Sequence, residues 1–167
     1  ITGTTVTLAA DGDNKGIGVA VIIDVDADVL NLSTTSDDAI TSGAIAIDDV
    51  SADTTALTSI TTGNETNAGN ITIDKSAGAL TIGVISAGGA AGLGNVTLLA
   101  ATSITELTDD ITIDITGAIV DLTTAAGGIT GNVTTFATDV LKALEVEASS
   151  LNLSSTSGDI TITEATG

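Results

Sequence analysis

"LNLSSTSGDITI" (residues 151–162) and its near copy "LNLSTTSDDAIT" (30–41) decide how this chain is read. Each opens with two leucines around an asparagine, so in an extended strand the leucines share one face and the asparagine takes the other. Each then runs through Ser, Thr, Gly or Asp, the residues of turns, before an aliphatic side chain returns. A phrase of strand and turn written twice in 167 residues predicts one structural unit built twice.

The same two-residue period recurs outside the phrase. "VTL" (6–8), "AIAI" (44–47), "ITI" (71–73), "LTI" (80–82), "VTL" (96–98), "ITIDI" (111–115), "IVDL" (119–122) and "ITI" (160–162) all alternate aliphatic with small or polar residues. Such runs are half-buried strands, and the Gly-, Ser-, Asn- and Asp-rich stretches between them are turns. On this alternation Ile73, Leu98, Ile113 and Leu153 point into the core. Longer similarities join them. "GNITIDKSAG" (69–78) matches "GDITITEATG" (158–167), and "GTTVTLAADG" (3–12) matches "GAIVDLTTAA" (117–126). The reading is a single solenoid segment over 1–167, with an internal repeat at 3–116 and a partial second copy at 117–167. Only "TDVLKALEVEA" (138–148) breaks the rhythm, and there one short amphipathic helix and a strand fit equally well.

Composition narrows the core. Hydrophobic residues make up 43% of the chain, but there is one aromatic, Phe136, and no Trp, Tyr, Met, Cys or Pro. A core filled by Ile, Val, Leu and Ala must be thin and regular, and abundant β-branched residues favour all-β structure. The net charge of −19 arises from 22 acids against Lys15, Lys75 and Lys142. That surface excludes nucleic acid and anionic membrane as partners. No run approaches the about 20 apolar residues of a membrane span. Ile1 begins no signal peptide, and with no Met in the chain the sequence is expected to be a processed product or an internal segment.

"GNVTLLAATSIT", "GALTIGVISAGG" and "LNLSSTSGDITI" resemble the repeats of large bacterial surface exoproteins, the filamentous-haemagglutinin-like and β-strand-repeat adhesins. The resemblance implies a right-handed parallel β-helix, an extracellular or cell-surface location, and a role in attachment or matrix building. A tandem β-sandwich adhesin domain is the alternative fold. Partners are expected to be other copies of the chain stacked end to end into a filament, or adjacent repeats of a longer parent.

Candidate sites are acidic. "DVDAD" puts Asp24, Asp26 and Asp28 on one face of a strand, and a neighbouring coil could add Asp48 and Asp49, an oxygen-rich set suited to calcium. The bland reading is a solvated acidic face. "DD" at 109–110 is a weaker case of the same kind. "DGDNKG" (11–16) begins like a calcium loop, but Lys15 and Ile22 stand where the fifth and twelfth positions need oxygen ligands, so it reads as an acidic turn. Thr7, Thr72, Thr81, Thr97, Thr112 and Thr161 suggest an outward threonine ladder, which admits ice binding as a minor alternative. Asn31, Asn64, Asn70, Asn95, Asn132 and Asn152 lie in N-x-S/T frames and would be glycosylation acceptors in a suitable host. Catalysis has little material. With no His, Cys, Tyr or Arg, a Ser–His or Cys–His nucleophile pair is impossible, and the Gly-rich stretch at 87–94 lacks the context of a phosphate loop. No enzyme activity and no cofactor other than calcium is expected.

Overall fold

The computed structural model describes residues 1–12, 15–35, 43–63, 68–88, 93–108, 110, 112–131 and 143–164. Among the described residues twelve strands form one sheet wound on itself. They are β1 (Thr2–Asp11), β2 (Ile23–Thr35), β3 (Ile45–Asp49), β4 (Thr55–Thr62), β5 (Ile71–Lys75) and β6 (Leu80–Ala87). β7 (Val96–Ala100), β8 (Ile104–Glu106), β9 (Ile115–Thr124), β10 (Ile129–Thr130), β11 (Leu144–Ser155) and β12 (Ile162–Glu164) follow. Every strand pairing is parallel. The strand order β10-β8-β6-β4-β2-β3-β5-β7-β9-β11-β12 folds about β2, which pairs with β3 through its first half and β4 through its second. This is a β-solenoid of stacked coils. The sandwich alternative fails, because two packed antiparallel sheets would not give an all-parallel ladder.

Parallel register converts the sequence period into columns. One inward column runs Ile45, Ile71, Val96, Val120, Leu151, advancing 26, 25, 24 and then 31 residues per coil. Beside it runs Ile23, Ile47, Ile73, Leu98, Leu122, Leu153. A third column, Leu8, Leu32, Ile60, Ile85, Ile115, Val146, lines the far wall. The middle members of each column are fully buried against one another. Coils one strand spacing apart, about 4.8 Å, leave room for branched aliphatics stacked on their own kind, which is why the core needs no aromatic ring.

Two inward assignments behave differently from the rest. Ile73 and Leu98 are buried as expected, and Leu153 is half-buried because, among the described residues, only the β9 side of that half of β11 is covered by a strand. Ile113 is 37% exposed, a correction to the sequence reading. "ITIDI" is not one strand. Between Ile82 and Ile85 the chain needs only Gly83 and Val84, but one coil later residues 107–114 are inserted between Glu106 and Ile115. Ile113 belongs to this detour. Of the 138–148 segment, residues 138–142 lie outside the described residues and 144–148 are strand, so no helix occurs among the described residues. Phe136 also lies outside them.

The two isoleucines therefore give opposite outcomes for one substitution. Ile73→Ala should cost about 2–5 kcal/mol in chemical denaturation. Ile113→Ala should stay within about 0.5 kcal/mol of the parent. Equal losses would show that the detour is packed as core.

Candidate functional site

Charged side chains inside the coil are the natural place to look for chemistry, because the fold has no other use for them there. The first group continues an aliphatic run. Ile45, Ile47 and Asp49 alternate on β3, so Asp49 points inward, and its register partner on β5 is Lys75. Both are fully buried, with Lys75 Nζ 3.3 Å from Asp49 Oδ2. The ammonium also donates to the Ser51 carbonyl and hydroxyl oxygens, each at 2.6 Å, while the Ser51 amide donates to Asp49 Oδ1 at 3.0 Å. Ser51 Oγ lies 3.1 Å from Thr55 Oγ1, which donates to the Ala27 carbonyl. The network ties three successive coils together through polar contacts.

The sequence reading grouped Asp49 with Asp24, Asp26, Asp28 and Asp48 as calcium ligands. Asp49 is turned away from that group into the core. Asp24, Asp26 and Asp28 do share one exposed face of β2, alternating with Val25 and Ala27 inside. Asp24 stands in register with Asp48 and Asp48 with Asp74, an outward acidic ladder across three coils. Burial, then the charges of Asp74, Asp24 and Asp49, push the Asp48 carboxyl above its ordinary range, and its Oδ1 is buried without a hydrogen-bond partner.

Among the described residues one set of three carboxylates converges, and it is not this ladder. Oxygens of Glu106, Asp114 and Glu145 all lie within 4.8 Å of one another, in side chains 1%, 4% and 6% exposed. Glu106 occupies the position that Ile82 holds one coil earlier. Asp114 directly precedes the returning strand β9, and Glu145 stands at the same place before Val146 one coil later. Backbone bonds fix these roots: Leu107 N–H to Ile82 carbonyl (2.7 Å), Ile85 N–H to Asp114 carbonyl (2.7 Å) and Asp114 N–H to Glu145 carbonyl (3.0 Å). Asp114 Oδ2 accepts from the Glu145 amide at 3.0 Å, and Glu106 Oε1 from the Asp110 amide at 3.0 Å. Asp110 in turn accepts from the Thr112 amide and hydroxyl, which hold its carboxyl below the usual range. Burial drives Asp114 up to about 8, with Glu106 and Glu145 adding repulsion. Burial and then Glu106 raise Glu145 in the same way.

The remaining candidates are surface features. Asn70 is exposed and its Oδ1 accepts the Asn95 amide at 2.9 Å, a stacked pair at one corner of the coil. Asn31 sits on β2, and the exposed Asn152 donates to Asp121. Asn64 and Asn132 lie outside the described residues, as does Asp109 of the 109–110 pair. The outward column through Thr72 and Thr97 reads Ala46, Thr72, Thr97, Asp121, Asn152, so its threonine run is two coils long. No protein-family model, curated protein or solved structure matches this chain.

Two outcomes follow from the buried charges. Lys75→Met alone strands Asp49 and should cost about 3–5 kcal/mol, whereas Asp49→Leu with Lys75→Met should restore most of it, as read by denaturant unfolding. A raised folded-state pKa in an acid means the folded chain holds a proton that the unfolded chain has released. Stability should then fall as pH rises from about 4 towards 8. In metal-chelated buffer the thermal midpoint should be lower at pH 8 than at pH 5.5, and Asp114→Asn should flatten that slope.

Proposed function

We propose that this chain is a stretch of an extracellular structural or adhesive solenoid, a stiff acidic rod at the cell surface. The observation that carries the reading is the unbroken parallel ladder from β1 to β12, with inward aliphatic columns running its length. A solenoid of this kind contacts only its neighbouring coils, so it extends by adding coils and resists bending. Among the described residues β1 pairs only with β2, and β12 only with β11. Near these ends Leu8, Leu151 and Leu153 are half-buried, and Ile160 is 42% exposed. Such ends accept a further coil, supplied by a second copy or by adjacent repeats of a longer parent. The resemblance of the repeats to those of surface adhesins supports the same reading, and exposed Asn70 and Asn152 would be open to glycosylation in a host that performs it.

A non-catalytic role fits the residue inventory, since the chain has no His, Cys, Tyr or Arg. Among the described residues, two surface hollows, one beside Asp121 and Asn152 and one around Asp74 and Thr123, measure about 200 and 230 Å³. Those volumes fall below the about 300–1,000 Å³ of ordinary ligand sites. Calcium-dependent adhesion is the second reading, favoured by the Asp24–Asp48–Asp74 register across coils.

Light scattering and negative-stain imaging over a concentration series test the rod. Particles should lengthen with concentration at constant width. Leu8→Lys with Leu153→Lys should hold them at the single-chain length without altering far-ultraviolet circular dichroism. A spherical monomer at every concentration would overturn the proposal.

A further inference from the structure

The acidic ladder lies outside and meets water, but the Glu106, Asp114 and Glu145 cluster is inside. Its parts come from three places along the chain, brought together because Glu106 and Asp114 flank the 107–114 detour and the coil register stacks Glu145 on Asp114. Lys75 is committed to Asp49 and Ser51, and Lys15 is exposed ahead of β2, so neither answers this cluster. Glu145 Oε2 is buried without a hydrogen-bond partner, in a side chain only 6% exposed. An acceptor oxygen left in that condition costs free energy unless something positive meets it.

We propose that Glu106, Asp114 and Glu145 form a calcium site that ties β8, β9 and β11 together where the 107–114 detour leaves and rejoins the coil. All three donors are carboxylate oxygen, which suits a hard cation rather than zinc or copper. Calcium binds oxygen at about 2.3–2.6 Å, so ligands on opposite sides of one ion stand about 4.6–5.2 Å apart. Oxygens within 4.8 Å of one another can therefore reach a shared ion without moving the strands that carry them. Magnesium demands a tighter, near-ideal octahedron. Three side chains fixed at separate strand ends meet calcium's looser geometry more readily, with water completing the shell. With all three carboxylates ionised, one ion reduces the local charge from −3 to −1 and gives Glu145 Oε2 its partner. The inference concerns internal architecture and stands whether or not the chain assembles into rods.

The test starts from chelator-treated full chain, with calorimetric titration and thermal melts at constant ionic strength. Calcium should bind saturably at one high-affinity site per chain and raise the melting temperature more than magnesium or added sodium. Glu145→Gln and, separately, Asp114→Asn should each weaken that binding at least tenfold while remaining folded, since both remove charge from a crowded cluster. The ladder variant Asp24→Asn, Asp26→Asn, Asp28→Asn should keep it. No saturable calcium binding, or binding lost with the ladder variant and kept in Glu145→Gln, overturns the proposal. Lys142 lies three residues from Glu145 in sequence, outside the described residues. If Lys142→Met creates a calcium site that the parent lacks, an internal ammonium rather than a metal ion answers the carboxylates, and the proposal fails.

Discussion

Equivalent residues of successive coils stand one strand spacing apart, about 4.8 Å. At that distance a side chain's principal neighbour is the residue in the same column one coil above or below. Aliphatics satisfy the rule by stacking on aliphatics, as in Ile45, Ile71, Val96 and Val120. A charge satisfies it only when the next coil answers. Asp49 is answered by Lys75 and by the polar atoms of Ser51, so the pair stays inside at full burial. Asp24, Asp48 and Asp74 are like charges in one column, which is tolerable only because that column faces outward.

The corners obey the same spacing through the backbone. A side chain added at Gly69 would place its Cβ 2.4 Å from the Gly43 carbonyl oxygen, and one at Gly94 would come 2.3 Å from that of Gly69. Only glycine lets the coils stack there. Inward threonines then finish the hydrogen bonding: Thr34 donates to the Gly43 carbonyl and Thr62 to that of Gly69. The "GN" dipeptides at 69–70 and 94–95 thus record a corner, glycine for close approach and asparagine for the stacked amide pair.

Much of this was legible in the sequence because a period of two is a local signal. Leu30 and Leu32 sit one coil beyond Val6 and Leu8, as Leu151 and Leu153 sit one coil beyond Val120 and Leu122. Asp49 was misplaced, although "IAIDD" (45–49) read in strict alternation puts it inside. Ile113 was misplaced because alternation inside a detour looks the same as alternation in a strand. The carboxylate cluster was missed for a deeper reason. Glu106, Asp114 and Glu145 share no motif, and only the register brings them together. One trace existed: "ITE" at 104–106 stands on "LTI" at 80–82, with glutamate where its column holds isoleucine.

That substitution marks where the simple rod stops being simple. Up to Ile82 the column Val6, Leu30, Leu57, Ile82 is apolar; at Glu106 it ends, and the chain leaves for its detour. An aliphatic residue at 106 would extend the column and spare the cost of a buried carboxylate. A glutamate there instead accepts the Asp110 amide and faces two further acids. The 107–114 detour replaces stacking by loop, and loops cannot supply the aliphatic contacts that hold a coil in register. Something directional must hold its roots, and the backbone bonds among Ile82, Ile85, Leu107, Asp114 and Glu145 do part of that work. The carboxylates around those bonds repel one another, so in isolation they oppose the closure they surround. Their placement makes physical sense once a positive charge is shared among them, because the repulsion then becomes a common attraction drawing three strand ends to one point.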